Sequence, residues 1–243
     1  MKFKKLFILI PGILSLFSLS ACNKESYSYI EDDDEARDAL ANYNYKFDSE
    51  TKEVTLKEYK GNPGEVEIPG VVGTYTVNKI GAKCFKGKGI TKLTIPDTIV
   101  YIGNSAFVYN TIEEIDIPDS VVEMGRDVLF GTTTLTKATI GSGMTSIPAS
   151  LFDGCSELSD VKIEGDITTI YERAFYDCTS LTSLVLPSSL KQIRTTAFKG
   201  CSILNTFYYK GSEEEYSRVF IYLENEDIEN INVVYNYVEE AED

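Results

Sequence analysis

The sequence contains no histidine and no tryptophan, and only three methionines. Without imidazole, the Ser-His-Asp and Cys-His routes to an activated nucleophile are closed, as is any zinc site that relies on histidine. Bases are also scarce: 23 Lys and Arg stand against 38 Asp and Glu, a formal charge of −15 over 243 residues. Neutralising phosphates needs a basic surface, so the balance argues against nucleic acid as a partner. Apart from one N-terminal run, long apolar stretches are missing. What is present is 43% hydrophobic residues, ample for a packed core in one large domain or two small ones.

The N-terminus reads as an export signal over residues 1–21. Lys2, Lys4 and Lys5 precede an apolar stretch over residues 6–19, interrupted by Pro11-Gly12 and serines. That stretch is short of the roughly 20 residues a membrane span needs. The order Leu19-Ser20-Ala21-Cys22 resembles the lipobox of bacterial lipoproteins. This resemblance implies cleavage before Cys22 and lipidation of its thiol, hence an exported chain anchored at the cell membrane or cell surface. Residues 22–42 follow, with Glu31-Asp32-Asp33-Asp34-Glu35 and little apolar pattern, and read as a solvated, flexible acidic tether.

The remainder repeats. Blocks begin at Ile80, Ile102, Met124, Ile147, Ile170 and Ile193, in steps of 22, 22, 23, 23 and 23 residues. A fixed period in this range means a solenoid whose turns stack on their neighbours. Within the blocks, Leu93/Ile95, Ile115/Ile117, Ala138/Ile140, Val161/Ile163, Leu184/Leu186 and Phe207/Tyr209 alternate with the period of strands that have one face inward. They predict a parallel sheet with one short strand per turn. A bulky residue five or six positions into each block (Phe85, Phe107, Leu129 or Phe130, Phe152, Phe175, Phe198) is expected to plug the opposite wall.

The ends differ from the blocks. Residues 43–79 hold a hairpin around Asp48-Ser49-Glu50-Thr51 and an atypical first turn through Val66-Glu67-Ile68-Pro69. Residues 80–211 are the six repeats. Residues 212–243 form a C-terminal cap and acidic tail, with eleven acids against one base. Ser212, with Glu215 three residues on, marks a helix start, and a final strand is expected over residues 231–238.

The recurring Ile-Gly-x-x-Ala-Phe, then Cys-x-x-Leu-x-x-(Leu/Val)-x-(Ile/Leu), then Pro-(Asp/Ser)-Ser resembles the BspA-type leucine-rich repeats of bacterial surface proteins, over roughly residues 43–238. The block at Met124 departs from it, with Val128-Leu129-Phe130 for Ala-Phe and no cysteine. The resemblance implies a leucine-rich repeat solenoid with a parallel β-sheet on one face, turns and short helical segments on the other, and a cap at each end. It further implies adhesion to a host or neighbouring-cell protein or glycan.

Motifs with catalytic or metal-binding chemistry do not survive inspection. Cys155, Cys178 and Cys201 recur at one repeat position, and identical positions on stacked turns point the same way, which makes a ladder of buried thiols rather than a bridge or metal site. Ser188 and Lys191 have Ser-x-x-Lys spacing without the companion Lys-Thr-Gly, Gly141-Ser142-Gly143 lacks a dinucleotide loop's third glycine, and Asp32-Asp33-Asp34 lacks a calcium loop's glycine and distal glutamate. Glu113, Glu114 and Asp116, or Glu164 with Asp166, are nominees for carboxylate-based glycan hydrolysis. They alternate on an open solenoid face, however, so no enzyme, cofactor or metal is expected.

The outward strand face is the expected binding surface: Lys92, Thr94, Glu114, Asp116, Lys137, Thr139, Asp160, Lys162, Ser183, Val185, Thr206 and Tyr208. Rigid faces of this kind bind proteins or glycans in repeat folds, and Tyr208 is the expected anchor. Lys79, Lys83, Lys86 and Lys88 form a second candidate, a patch for an anionic ligand. A structural component of the cell envelope, joined to a fellow surface protein through its caps, is the alternative reading.

Overall fold

A computed structural model describes residues 30, 31 and 33–239; the export signal, Cys22 and residues 23–29 lie outside these. The alternating pairs build one wall of a solenoid from eight parallel strands: Gly64–Glu67, Ile90–Thr94, Glu114–Ile117, Lys137–Ile140, Asp160–Ile163, Ser183–Leu186, Thr206–Tyr209 and Asn232–Val234. Register follows the repeat. Ile115, Ala138 and Val161 align across three strands, as do Ile117, Ile140 and Ile163. All the expected inward residues of this wall are buried.

The facing wall is narrower. Its two-residue strands Tyr101–Ile102, Glu123–Met124, Ser146–Ile147, Thr169–Ile170, Gln192–Ile193 and Phe220–Ile221 form parallel ladders. The first residue of each of the repeat blocks is therefore a wall residue, and its side chain is buried. Among the described residues, helix occurs only in the caps, at Asp34–Ala39, Glu213–Tyr216 and the 3-10 turn Glu226–Ile228. Inside the repeats, turns and these short strands take the place of the expected helical segments.

Between the walls lies a column of aromatic rings. Phe85, Phe107, Phe152, Phe175 and Phe198 are fully buried, with neighbouring centroids 5.1 to 5.7 Å apart where two phenylalanines are adjacent. In the block at Met124 the plug is Leu129, fully buried, while Phe130 packs against Tyr109 at 5.6 Å. Each fully buried side chain of this size contributes roughly 1.5–3 kcal/mol.

Two backbone positions in every block are left-handed. Lys83, Ser105, Asp127, Ser150, Arg173 and Thr196 occupy one, at φ of 54 to 60°. Gly87, Tyr109, Gly131, Gly154, Asp177 and Gly200 occupy the other. Glycine holds four places at the second position because a Cβ there costs energy in a left-handed conformation.

The thiol ladder is present. Cys84, Cys155, Cys178 and Cys201 are free and buried. The thiols of Cys155, Cys178 and Cys201 donate to the carbonyls of Leu129, Phe152 and Phe175 in the preceding turn, at 3.4, 3.2 and 3.0 Å. Asn110 stands at the same repeat position and does the same, donating from Nδ2 to Phe85 O at 2.8 Å. Burial pushes the Cys84, Cys155 and Cys201 thiols up to about 12 and Cys178 well above its ordinary value.

The acidic run is not a flexible tether over its described part. Asp33 caps the helix Asp34–Ala39, its carboxylate accepting from Ala36 N at 3.0 Å and from Thr74 N at 2.9 Å. Ile30, Ala36 and Leu40 are fully buried, so the acids line the wet side of a segment that seals the N-terminal end. The expected hairpin follows as antiparallel Tyr43–Phe47 and Glu53–Tyr59. At the other end, the expected capping box of Ser212 and Glu215 is present. The helix ends at Tyr216, because Phe220–Ile221 continues the narrow wall, and the last strand is shorter than expected, Asn232–Val234. Side chains finish the open turn: Asn225 Oδ1 accepts from Phe198 N at 3.1 Å and Asp227 from Gly200 N at 2.9 Å. They replace the carbonyls that a further turn would supply.

Candidate functional site

Side-chain alternation turns the wide wall's other residues to solvent, and register sorts them into two rows. In the first, Glu65 lies opposite Lys92, Lys137 between Glu114 and Asp160, and Thr206 between Ser183 and Asn232. In the second, Glu67 lies opposite Thr94, Thr139 between Asp116 and Lys162, and Tyr208 between Val185 and Val234. The face is thus charged with alternating sign over its first turns and uncharged over its last three. Opposite charges on adjacent strands contribute about 0.2–1 kcal/mol each, and Lys137 reaches Asp160 at 3.4 Å. Lys162 pairs with Glu164, the residue just past the end of its own strand, at 3.0 Å.

The wall is not one continuous sheet. No ladder joins Ile90–Thr94 to Glu114–Ile117, or Asp160–Ile163 to Ser183–Leu186. At the first seam the surface sinks into a concavity of about 400 Å³, lined in part by Lys92, Glu113, Glu114, Asp116, Lys137 and Thr139. A smaller one of about 290 Å³ adjoins it, with Asp97, Asp116, Asp119 and Glu164 on its lining. Hydrogen bonds from Ser142 N at 2.6 Å and from its side chain hold the Asp119 carboxyl below its ordinary range. Among the described residues, no group of three or more His, Cys, Asp and Glu is placed to hold a metal ion.

The sequence-predicted residues therefore share one exposed surface, and five of them (Lys92, Glu114, Asp116, Lys137 and Thr139) meet at the seam. Tyr208 differs from expectation. It is half-buried and packs on Tyr237 at 4.7 Å, because the chain after the last strand returns across it. The lysine patch does not gather into a single free cluster. Lys79 pairs with Glu53 at 3.2 Å and Lys88 with Glu58 at 3.4 Å, both acids coming from the hairpin strand. Lys86 lies over the Tyr109 ring at 5.7 Å, and Lys83 stands at a left-handed turn. The seam itself has no sequence signal, since the flanking strands keep their inward pattern.

Fold and surface define the class: a parallel leucine-rich repeat solenoid with an open strand face. The model of the BspA type leucine rich repeat region matches in six copies over residues 78–205, and the chain belongs to that family. Among solved structures, a leucine-rich repeat protein from Eubacterium ventriosum is similar, with TM-score 0.59 and 26% identity, over 82% of this chain and 51% of that one. A leucine rich cell surface protein from Faecalibacterium prausnitzii gives TM-score 0.53 and 28% identity, over 69% of this chain and 53% of that one. The chain thus spans about half the length of these two relatives. No curated protein matches it.

Proposed function

We propose that this chain is an exported surface-binding module, held at the cell membrane by lipid on Cys22, that adheres to a host or neighbouring-cell protein or glycan through its wide strand face. The observation that carries this reading is the seam concavity, where Lys92 and Lys137 flank Glu114 and Asp116, all four exposed, on the solvent side of the wide wall. Lys137, already paired with Asp160 across strands, loses less side-chain entropy on docking than a free lysine would. Membership in a family with cell-surface relatives supports the location. The function is binding without catalysis.

The test is capture of extracellular proteins or glycans by the purified full-length chain, compared with Glu114→Lys/Asp116→Lys. Loss of the captured partner with the variant supports the face; unchanged capture removes it. Turnover of a glycan that disappears in Glu114→Gln would replace adhesion with hydrolysis, since Glu113, Glu114 and Asp116 line the same concavity. A structural role in envelope assembly has its own observation: Phe220, Leu223 and Val238 are 60, 85 and 81% exposed at the C-terminal end. Capture lost in Leu223→Lys/Val238→Lys and kept in the face variant would favour that role.

A further inference from the structure

The narrow wall changes character along its length. Except at Pro148, which has no N–H, the residue directly after each of its strands donates its N–H to the preceding turn: Gly81 to Leu56 O, Gly103 to Ile80 O, Gly125 to Ile102 O, Tyr171 to Ile147 O, Arg194 to Ile170 O and Tyr222 to Ile193 O. These are one repeat position. In the first three turns it is closed to any side chain, since a Cβ would come within 2.7, 2.4 and 2.6 Å of Leu56 O, Ala82 N and Asn104 N. Pro148 occupies the position in the next turn, and the last three turns carry Tyr171, Arg194 and Tyr222 there.

These large side chains do not close the core. Tyr171 is 37% and Phe220, two strands on, 60% exposed. Phe220 and Tyr222 meet edge to face at 4.6 Å, and Gln192 is in register with Phe220. The Arg194 guanidinium lies over the Tyr222 ring, 4.7 Å from its centroid. It has no carboxylate partner among the described residues, and its Nε–H is shielded from water with no acceptor. Residues 167–211, the turns that carry it, hold five bases against two acids.

We propose that this end of the narrow wall is a second binding site, for the carboxylate-bearing sugar of an acidic glycan. A pyranose presents polarised C–H groups on one face, which the electron-rich face of an aromatic ring attracts. Its carboxylate supplies the acceptor pair that a planar guanidinium is shaped to meet, and Gln192 can bond the ring hydroxyls. An acidic peptide would satisfy the arginine but leave the aromatic faces idle. The chain's charge of −15 repels polyanions in general, so retention of one must come from local recognition.

The experiment is affinity electrophoresis of the purified full-length chain through gels containing polygalacturonate, its methyl ester, or poly-glutamate. Polygalacturonate retards the wild type; the ester and poly-glutamate do not. Arg194→Gln weakens retardation by about tenfold or more, the loss expected for one charge-assisted pair. Phe220→Ala also weakens it, and because Phe220 is exposed this variant folds even if Arg194→Gln does not. Glu114→Lys/Asp116→Lys leaves it unchanged, which separates this site from the wide face. No retardation by polygalacturonate, equal retardation by poly-glutamate, or loss in Lys83→Ala/Lys86→Ala instead of at Arg194 and Phe220 would each overturn the proposal.

Discussion

Replacing Phe175 by alanine should be the most damaging single change in the solenoid. The ring is fully buried, 5.3 Å from Phe152 and 5.1 Å from Phe198, with the latter pair parallel to within 2°. Its backbone is fixed on both sides, Phe152 N donating to Ala174 O at 2.9 Å and Phe175 N to Ala197 O at 2.8 Å, so the walls cannot close over the vacated space. Phe→Ala in such a setting costs about 3–5 kcal/mol. For a chain of this length, each kcal/mol lowers the melting temperature by roughly 2–4 °C, which predicts a fall of roughly 6–20 °C. Because repeats couple to their neighbours alone, the loss should also broaden the transition, the turns from Asp160 onward melting first. Circular dichroism on heating reads both effects. Phe220→Ala, on an exposed ring, serves as the control and should cost under about 0.5 kcal/mol. Equal melting temperatures for the two variants would refute the ring column as the main source of stability.

Three further outcomes follow from the same geometry. Gly154→Ala forces a Cβ into a left-handed residue at φ +76°, and should cost about 1–2 kcal/mol in urea denaturation. The Asp33 carboxyl is held below its ordinary range, chiefly by the N–H groups of Ala36 and Thr74. Its stabilisation of the N-terminal cap should be complete above the unfolded carboxylate's range near pH ~3.9 and lost as pH falls through the lowered folded value; Asp33→Ala should flatten that part of the stability–pH curve. In Cys22→Ala, the four buried thiols should be silent to a thiol reagent at pH 8 and should all react in denaturant, because burial raises them far above that pH.

Much of this fold is legible in the sequence because every turn repeats the same contacts. The alternation at Ile115/Ile117 or Leu184/Leu186 sets the strand, and the period places Phe175 over Phe152 without any knowledge of distant pairing. Where a contact joins residues of unlike turns, that logic has nothing to work on. Glu53 and Glu58 meet Lys79 and Lys88 from a hairpin outside the repeats, and Tyr237 covers Tyr208 from the returning tail. The helix Asp34–Ala39 is hidden for a different reason. Its apolar contribution is only Ile30, Ala36 and Leu40 within a run dominated by acids, although Asp33 with Ala36 already has the spacing of an N-cap. As for the candidate face, its members follow from alternation, whereas the seam that gathers five of them does not, because the strands on either side of the break keep the same buried inward pairs, Leu93/Ile95 and Ile115/Ile117.

The charge distribution sharpens what the face can recognise. Residues 212–243 account for a net −10 of the chain's −15, so most of the acidity lies in the tail beyond the last repeat. The wide wall presents alternating signs at its charged end and hydroxyls with Val185 and Tyr208 at the other, a pattern that selects by position more than by bulk charge.

The most direct test of the central claim is the affinity of the purified full-length chain for an extracellular partner captured from host or neighbouring-cell surfaces, with charge reversal on the wide wall and, as the control, on the turns between the walls. Glu114→Lys/Asp116→Lys on the wide wall should abolish binding, while Glu172→Lys on the turns between the walls should leave it intact. Equal affinity for the wild type and the wide-wall variant would contradict the claim.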